Sequence, residues 1–217
     1  MKLQLWRLCF MVSALFMIAG GPQHPGGTMA EMLADPKWVP AHSLLLAGFV
    51  TLLAGLLLFK RSSSLPLPAS ANRWLQFAII GTVLQTIEMA MHTAAFVDHH
   101  HLVAGQSTPV LTTHLWLAVL FYPIFGLTIT GFIIAGMRDR VIGSPWIGWL
   151  GIAGVLAQGA APPLVLLFKI EGARILFPFL LLFALWLILA GLWPLRGRED
   201  EALADTVLGS TAGSGQM

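Results

Sequence analysis

The residues best able to bind a metal or carry a proton in this apolar chain gather in "EMAMHTAAFVDHHH", residues 88–101. On a helix of 100° per residue, Glu88, His92 and His99 project within about 40° of one another if the helix persists to 99, and Gln85 falls close to the same stripe. At a rise of about 1.5 Å per residue, Glu88 sits roughly 13 Å below a helix end near Val97. A carboxylate at that depth costs several kcal/mol unless it is paired, protonated or bound to a cation.

Two further histidines open apolar runs at the same level: His42 in "VPAHSLLL" and His114 in "LTTHLWLA". Three helices can therefore bring His42, His92 and His114 around one point, with Glu88 beneath. Neutral imidazoles at that spacing suit zinc, copper, iron or nickel. His42, His92 and His114 are the expected cofactor-binding residues. The expected metal set adds Glu88, His99, and His24, whose turn sequence "QHPGG" could fold back as a lid. Met29, Met32, Met89 and Met91 add soft sulfur nearby and lean the choice towards copper. Haem b is the other expectation, with two of the three histidines as axial ligands and Trp38, Phe96, Trp116, Phe121 and Tyr122 available as walls. "DHHH" at 98–101 reads as a solvated loop cap, since three consecutive histidines cannot all face one ion.

The elements that must position these residues are membrane helices. Mean hydropathy of +0.80, with 57% hydrophobic and 10% charged residues, excludes an ordinary soluble domain, where about a quarter of residues are charged. Runs of about 20 apolar residues span a bilayer core as helix. Six such spans are expected, at about 4–20, 41–59, 74–97, 112–136, 146–168 and 175–195. They form an all-α integral membrane domain over 1–197, followed by a disordered polar tail over 198–217. The first span also has the form of a signal peptide, although a retained helix is the favoured reading.

Six spans put both termini on one side, together with Lys2, Arg7, Lys60, Arg61, Arg73, Arg138, Arg140, Arg196 and Arg198. Lys37, Lys169 and Arg174 fall on the other. Positive charge accumulates on the cytoplasmic side, so both termini are expected there, in a bacterial-type inner membrane. All seven histidines then fall at or near the outer face. Ala47, Thr51 and Gly55 form a small-residue stripe for close helix packing. Pro162 and Pro163 should kink the fifth span. The fifth and sixth spans are expected mainly as scaffold.

The basic residues flank apolar segments, which excludes a nucleic-acid surface. A single cysteine, Cys9, excludes a disulfide or a CxxC pair within the chain. There is no phosphate loop, GxSxG or HExxH motif. The leading expectation is a metal- or haem-binding protein for electron transfer or a redox reaction at the outer surface. The alternative is a non-catalytic accessory or assembly subunit, whose partners would be lipids and other membrane subunits. A proton-relaying carrier is least supported, because the cytoplasmic half of the spans is almost wholly apolar.

Overall fold

The apolar runs fold as helices because a backbone in hydrocarbon must satisfy its own hydrogen bonds. The structure is a computed structural model and describes residues 4–62, 67–139, 141 and 144–192. The helices are α1 (Leu5–Gly20), α2 (Met29–Ala34), α3 (Trp38–Ser62), α4 (Ala69–Ala94), α5 (His99–Val103), α6 (Pro109–Arg138), α7 (Pro145–Leu166) and α8 (Leu180–Leu192). Short 3₁₀ segments lie at Gly21–Gln23, Ala95–Asp98 and Glu171–Phe179. No strand occurs among the described residues. Six helical stretches are long and apolar enough to cross a membrane: Leu5–Gln23, Trp38–Arg61, Ala69–Val103, Pro109–Arg138, Pro145–Leu166 and Glu171–Leu192.

These match the expected spans, with differences at their ends. The expected tail over 198–217 and the last residues of the sixth span lie outside the described residues, as do Lys2, Arg140, Arg196 and Arg198. The reading of "DHHH" as loop is corrected. The third span continues through the 3₁₀ turn at Ala95–Asp98 into α5, so all three consecutive histidines are helical. Asp98 is the reason this turn holds. Its buried carboxylate accepts a hydrogen bond from the backbone N–H of Leu111 at 2.8 Å, which ties the turn to the first turn of α6. Four N–H groups at a helix start lack intrahelical partners, and Asp98 supplies one from outside.

Neighbouring helices approach closely where side chains are absent. Gly126 of α6 faces Gly159 of α7; a Cβ at Gly126 would stand 3.0 Å from the carbonyl of Val155, and one at Gly159 3.0 Å from that of Tyr122. Gly55 receives the ring of Phe10 from α1, as the small-residue stripe suggests. Thr51 of that stripe instead returns its hydroxyl to the carbonyl of Ala47 on its own helix. Gly191 of α8 packs against Met11 and the carbonyl of Arg7 in α1, so the bundle closes with its first and last helices side by side.

The interior is stratified. At mid-height Phe49, Phe125, Phe183, Trp186 and Phe10 are all fully buried and form a run of ring contacts with centroids 5.4 to 6.3 Å apart. Gln85, Glu88, His114 and Gln158, buried polar groups of the helix cores, lie on the far side of this layer from the chain ends, whereas the buried Arg7 of α1 lies on the near side. The outer surface is apolar all round, with Ile80, Ile87, Leu127 and Trp146 among its exposed side chains, as a lipid-facing bundle requires.

Candidate metal centre

Glu88 and His92 stand one helical turn apart near the end of α4, so their side chains share a face. His114, in the second turn of α6, reaches this face from the neighbouring helix. Its Nδ1 lies 2.8 Å from Oε1 of Glu88, while Nδ1 of His92 lies 3.8 Å from the same oxygen. The His114–Glu88 contact is at ion-pair distance but out of line with a hydrogen bond, and neither atom has a hydrogen-bond partner. The His92 and His114 rings stack, with centroids 3.9 Å apart.

His42 approaches from α3. Its centroid is 4.1 Å from that of His92. The Gly21–Gln23 turn and the chain after it carry His24 back over the bundle end, 4.8 Å from His42 and 6.0 Å from His92 by ring centroids. Two features hold this return. Gly27 has φ +111, a left-handed conformation that side chains disfavour. Thr28 and Glu31 then form a reciprocal capping box that starts α2. The amide and hydroxyl of Thr28 donate to Glu31 at 2.7 and 2.8 Å, holding its carboxyl below the usual carboxylate range.

Five side chains therefore form two overlapping groups. Glu88, His92 and His114 offer ligand atoms within 4.8 Å of one another, and so do His24, His42 and His92. Ligands on opposite sides of one ion with bonds of about 2.1 Å stand about 4.2 Å apart, so each group is within small adjustments of coordinating geometry. His92 belongs to both.

The surrounding hydrogen bonds fix which atoms are offered. Nδ1 of His42 faces the carbonyl of Trp38 at 2.6 Å, and Nδ1 of His24 faces that of Pro25 at 2.8 Å. A carbonyl only accepts, so both Nδ1 atoms carry the proton and both Nε2 atoms keep a free lone pair. Such N–H to carbonyl bonds are the usual support of metal-binding imidazoles. Gln85 donates to Oε2 of Glu88 at 2.9 Å, leaving Oε1 turned to the histidines. Nε2 of His42, Nδ1 of His92, Nδ1 of His114 and Oε1 of Glu88 are all buried without a hydrogen-bond partner. Partial removal from solvent among these rings, for a side chain that still keeps an exposed edge, holds the His24 imidazole below its ordinary value, opposed by its hydrogen bond to Pro25 and reinforced by His114.

The cluster borders a cavity of about 590 Å³. His24, His92 and His114 lie on its wall with Trp38, Tyr122 and Gln158. Of the proposed aromatic walls, Trp38 and Tyr122 line it; Phe121 does not, and Phe96 and Trp116 are exposed on the outside. Met29, Met32 and Met89 line it, whereas Met91 does not.

His99 stands apart from both groups, edge-on to His100 with centroids 5.1 Å apart. The 3₁₀ turn at Ala95–Asp98 advances about 120° per residue rather than 100°, and this breaks the helical phase that aligned His99 with Glu88. The reading of the last two spans as scaffold is also corrected. α7 contributes Gln158, Pro162 and Val165 to the cavity, and Arg174, Phe177, Leu180 and Leu181 close another side. Gln158 is the residue that the sequence reading passed over. Its signal was a lone amide in an apolar span, one turn before a proline pair. Comparison of the chain with protein-family models, curated proteins and solved structures finds no match.

Proposed function

We propose that this multi-pass membrane protein binds a transition-metal ion, copper or zinc, at the cluster of Glu88, His92 and His114, with His24 and His42 at its rim. The observation that carries this reading is the convergence of buried, unpartnered nitrogen and oxygen atoms from separate helices. Isolated polar atoms in such a site cost about 1–3 kcal/mol each, and one cation would satisfy several at once. Three protein ligands beside a cavity also leave a coordination position open, the arrangement of reactive rather than structural sites. With copper the site would serve electron transfer or a redox reaction; zinc has no redox chemistry.

Ring geometry favours an ion over haem. Two axial imidazoles must approach a macrocycle from opposite faces, and here His92 and His114 stack face to face with centroids 3.9 Å apart. The bias of lysine and arginine towards the end that carries the termini supports an extracytoplasmic position for the site. Elemental analysis and electron paramagnetic resonance of the protein purified in detergent test the reading. The expected result is stoichiometric copper or zinc that is lost in His92→Ala. Protein that takes up neither metal on equilibration overturns it, and co-purifying membrane subunits would then favour an accessory role.

A further inference from the structure

The cavity beside the cluster is larger than an ion needs. Its volume of about 590 Å³ falls within the range of about 300–1,000 Å³ typical of sites for small organic molecules. Most of its wall is apolar, and its polar groups are few and specifically placed. Gln158 is 6% exposed, lies on the wall, and its Oε1 has no hydrogen-bond partner. It sits beside the hydroxyl of Tyr122. On the histidine side, Trp38 is 2% exposed, and its Nε1–H also lacks a partner. Residues that carry an unsatisfied acceptor and an unsatisfied donor thus share the wall of one apolar chamber.

These groups define what would fit. Gln158 Oε1 needs a donor and Trp38 Nε1 an acceptor. A hydroxylated aromatic ring supplies both. Met29, Met32 and Met89 on the wall favour a flat ring, because thioether sulfur packs well against aromatic edges. A carboxylate head fits less well: among the described residues Arg174 is the one fixed cation on the wall, and Glu171 already holds it at 2.6 Å. The wall also includes Phe177 and Leu181, which are 38% and 39% exposed. This gives an apolar tail a way out to the membrane.

We propose that the cavity binds a membrane-soluble quinol, its ring between Trp38 and Gln158, one hydroxyl donating to Gln158 Oε1, and its tail leaving past Phe177 and Leu181. This deepens the metal reading by naming a ligand for the space beside the cluster, but the binding rests on the cavity and does not require the ion.

Calorimetric titration of the purified protein in nanodiscs with decyl-substituted para-benzoquinol, under anaerobic conditions, tests this. Saturable binding is expected, about tenfold tighter than for the matching quinone, which cannot donate to Gln158. Gln158→Leu should remove that preference and leave quinone affinity unchanged. Leu115→Trp, which fills the chamber from α6, should abolish both. Absence of saturation in the unmodified protein, a quinone that binds as well as the quinol, or hexadecanoate binding more tightly than either would overturn the proposal. If Gln158→Leu does not fold, the quinol–quinone comparison and Leu115→Trp decide the matter alone. Metal content measured on the same samples separates the two readings. Bound metal without quinol binding sinks this one only, and quinol binding without metal sinks the other.

Discussion

Oε1 of Glu88 on α4 and Nδ1 of His114 on α6 lie 2.8 Å apart in the bundle interior, facing each other without hydrogen-bond alignment. Two such atoms, removed from water, are satisfied by a proton or a cation shared between or beside them. Glu88→Gln keeps the shape and the contact with Gln85 but removes the negative charge. Metal retained after dialysis is expected to fall by about tenfold or more, since even residues that only support ligands contribute about 10–100-fold. Elemental analysis of the dialysed variant checks this, and unchanged retention would remove Glu88 from the site.

His92 is common to both ligand groups. His92→Ala should therefore lower metal retention more than either His24→Ala or His114→Ala. His99→Ala and His100→Ala should leave it unchanged, although they lie in the most conspicuous histidine run. Equal losses across all five variants, measured by the same analysis, would refute the grouping.

Asp98 caps α6 from a distance by accepting the N–H of Leu111. Asp98→Ala leaves that buried donor without a partner and should destabilise the protein by about 1–3 kcal/mol. Asp98→Asn keeps an oxygen acceptor and should cost less. Thermal unfolding in detergent, followed by circular dichroism, ranks the two; the reverse order would mean that the charge, not the cap, matters at Asp98.

The close approach of α6 and α7 depends on Gly126 and Gly159. Gly126→Leu forces the backbones apart and should cost about 1–3 kcal/mol, as overpacking does in a filled interior. Because Tyr122 lies one turn before Gly126 and Gln158 immediately precedes Gly159, the variant should also impair ligand binding in the cavity. A melting temperature equal to that of the unmodified protein would show that the helices have room to spare.

The capping box gives a pH dependence with a definite sign. The Glu31 carboxyl is held below its ordinary value by Thr28, so its contribution is present above the usual glutamate range and is lost as pH falls through the lowered value. The melting temperature of Glu31→Gln should lie below that of the unmodified protein at neutral pH and converge with it on acidification. A constant gap across that range would assign the effect to something other than the carboxylate.

Much of this was legible in the sequence for simple reasons. Membrane spans announce themselves through uninterrupted apolar length, and the one-turn spacing of Glu88 and His92 fixes their common face on any helix. The level of His42 and His114 followed from their positions at the starts of apolar runs. His99 was misplaced because hydropathy does not register a switch from α to 3₁₀ geometry, and Asp98 stabilises that switch through a partner thirteen residues on, Leu111. Gln158 was passed over because its significance depends on which helix α7 packs against, and glycine contacts with α6 decide that. The return of the His24 turn over the cluster depends on Gly27 and the Thr28–Glu31 box, which a sequence offers as a helix start without saying where it lies.

The aromatic layer of Phe49, Phe125, Phe183, Trp186 and Phe10 lies between the cluster and the end of the bundle that carries the chain termini. It acts as a dielectric floor. Its low permittivity gives a bare ion or proton nothing to hold on to, so a charge in the chamber above finds no path through the layer. A charge held in the chamber is thereby insulated from the other end of the bundle.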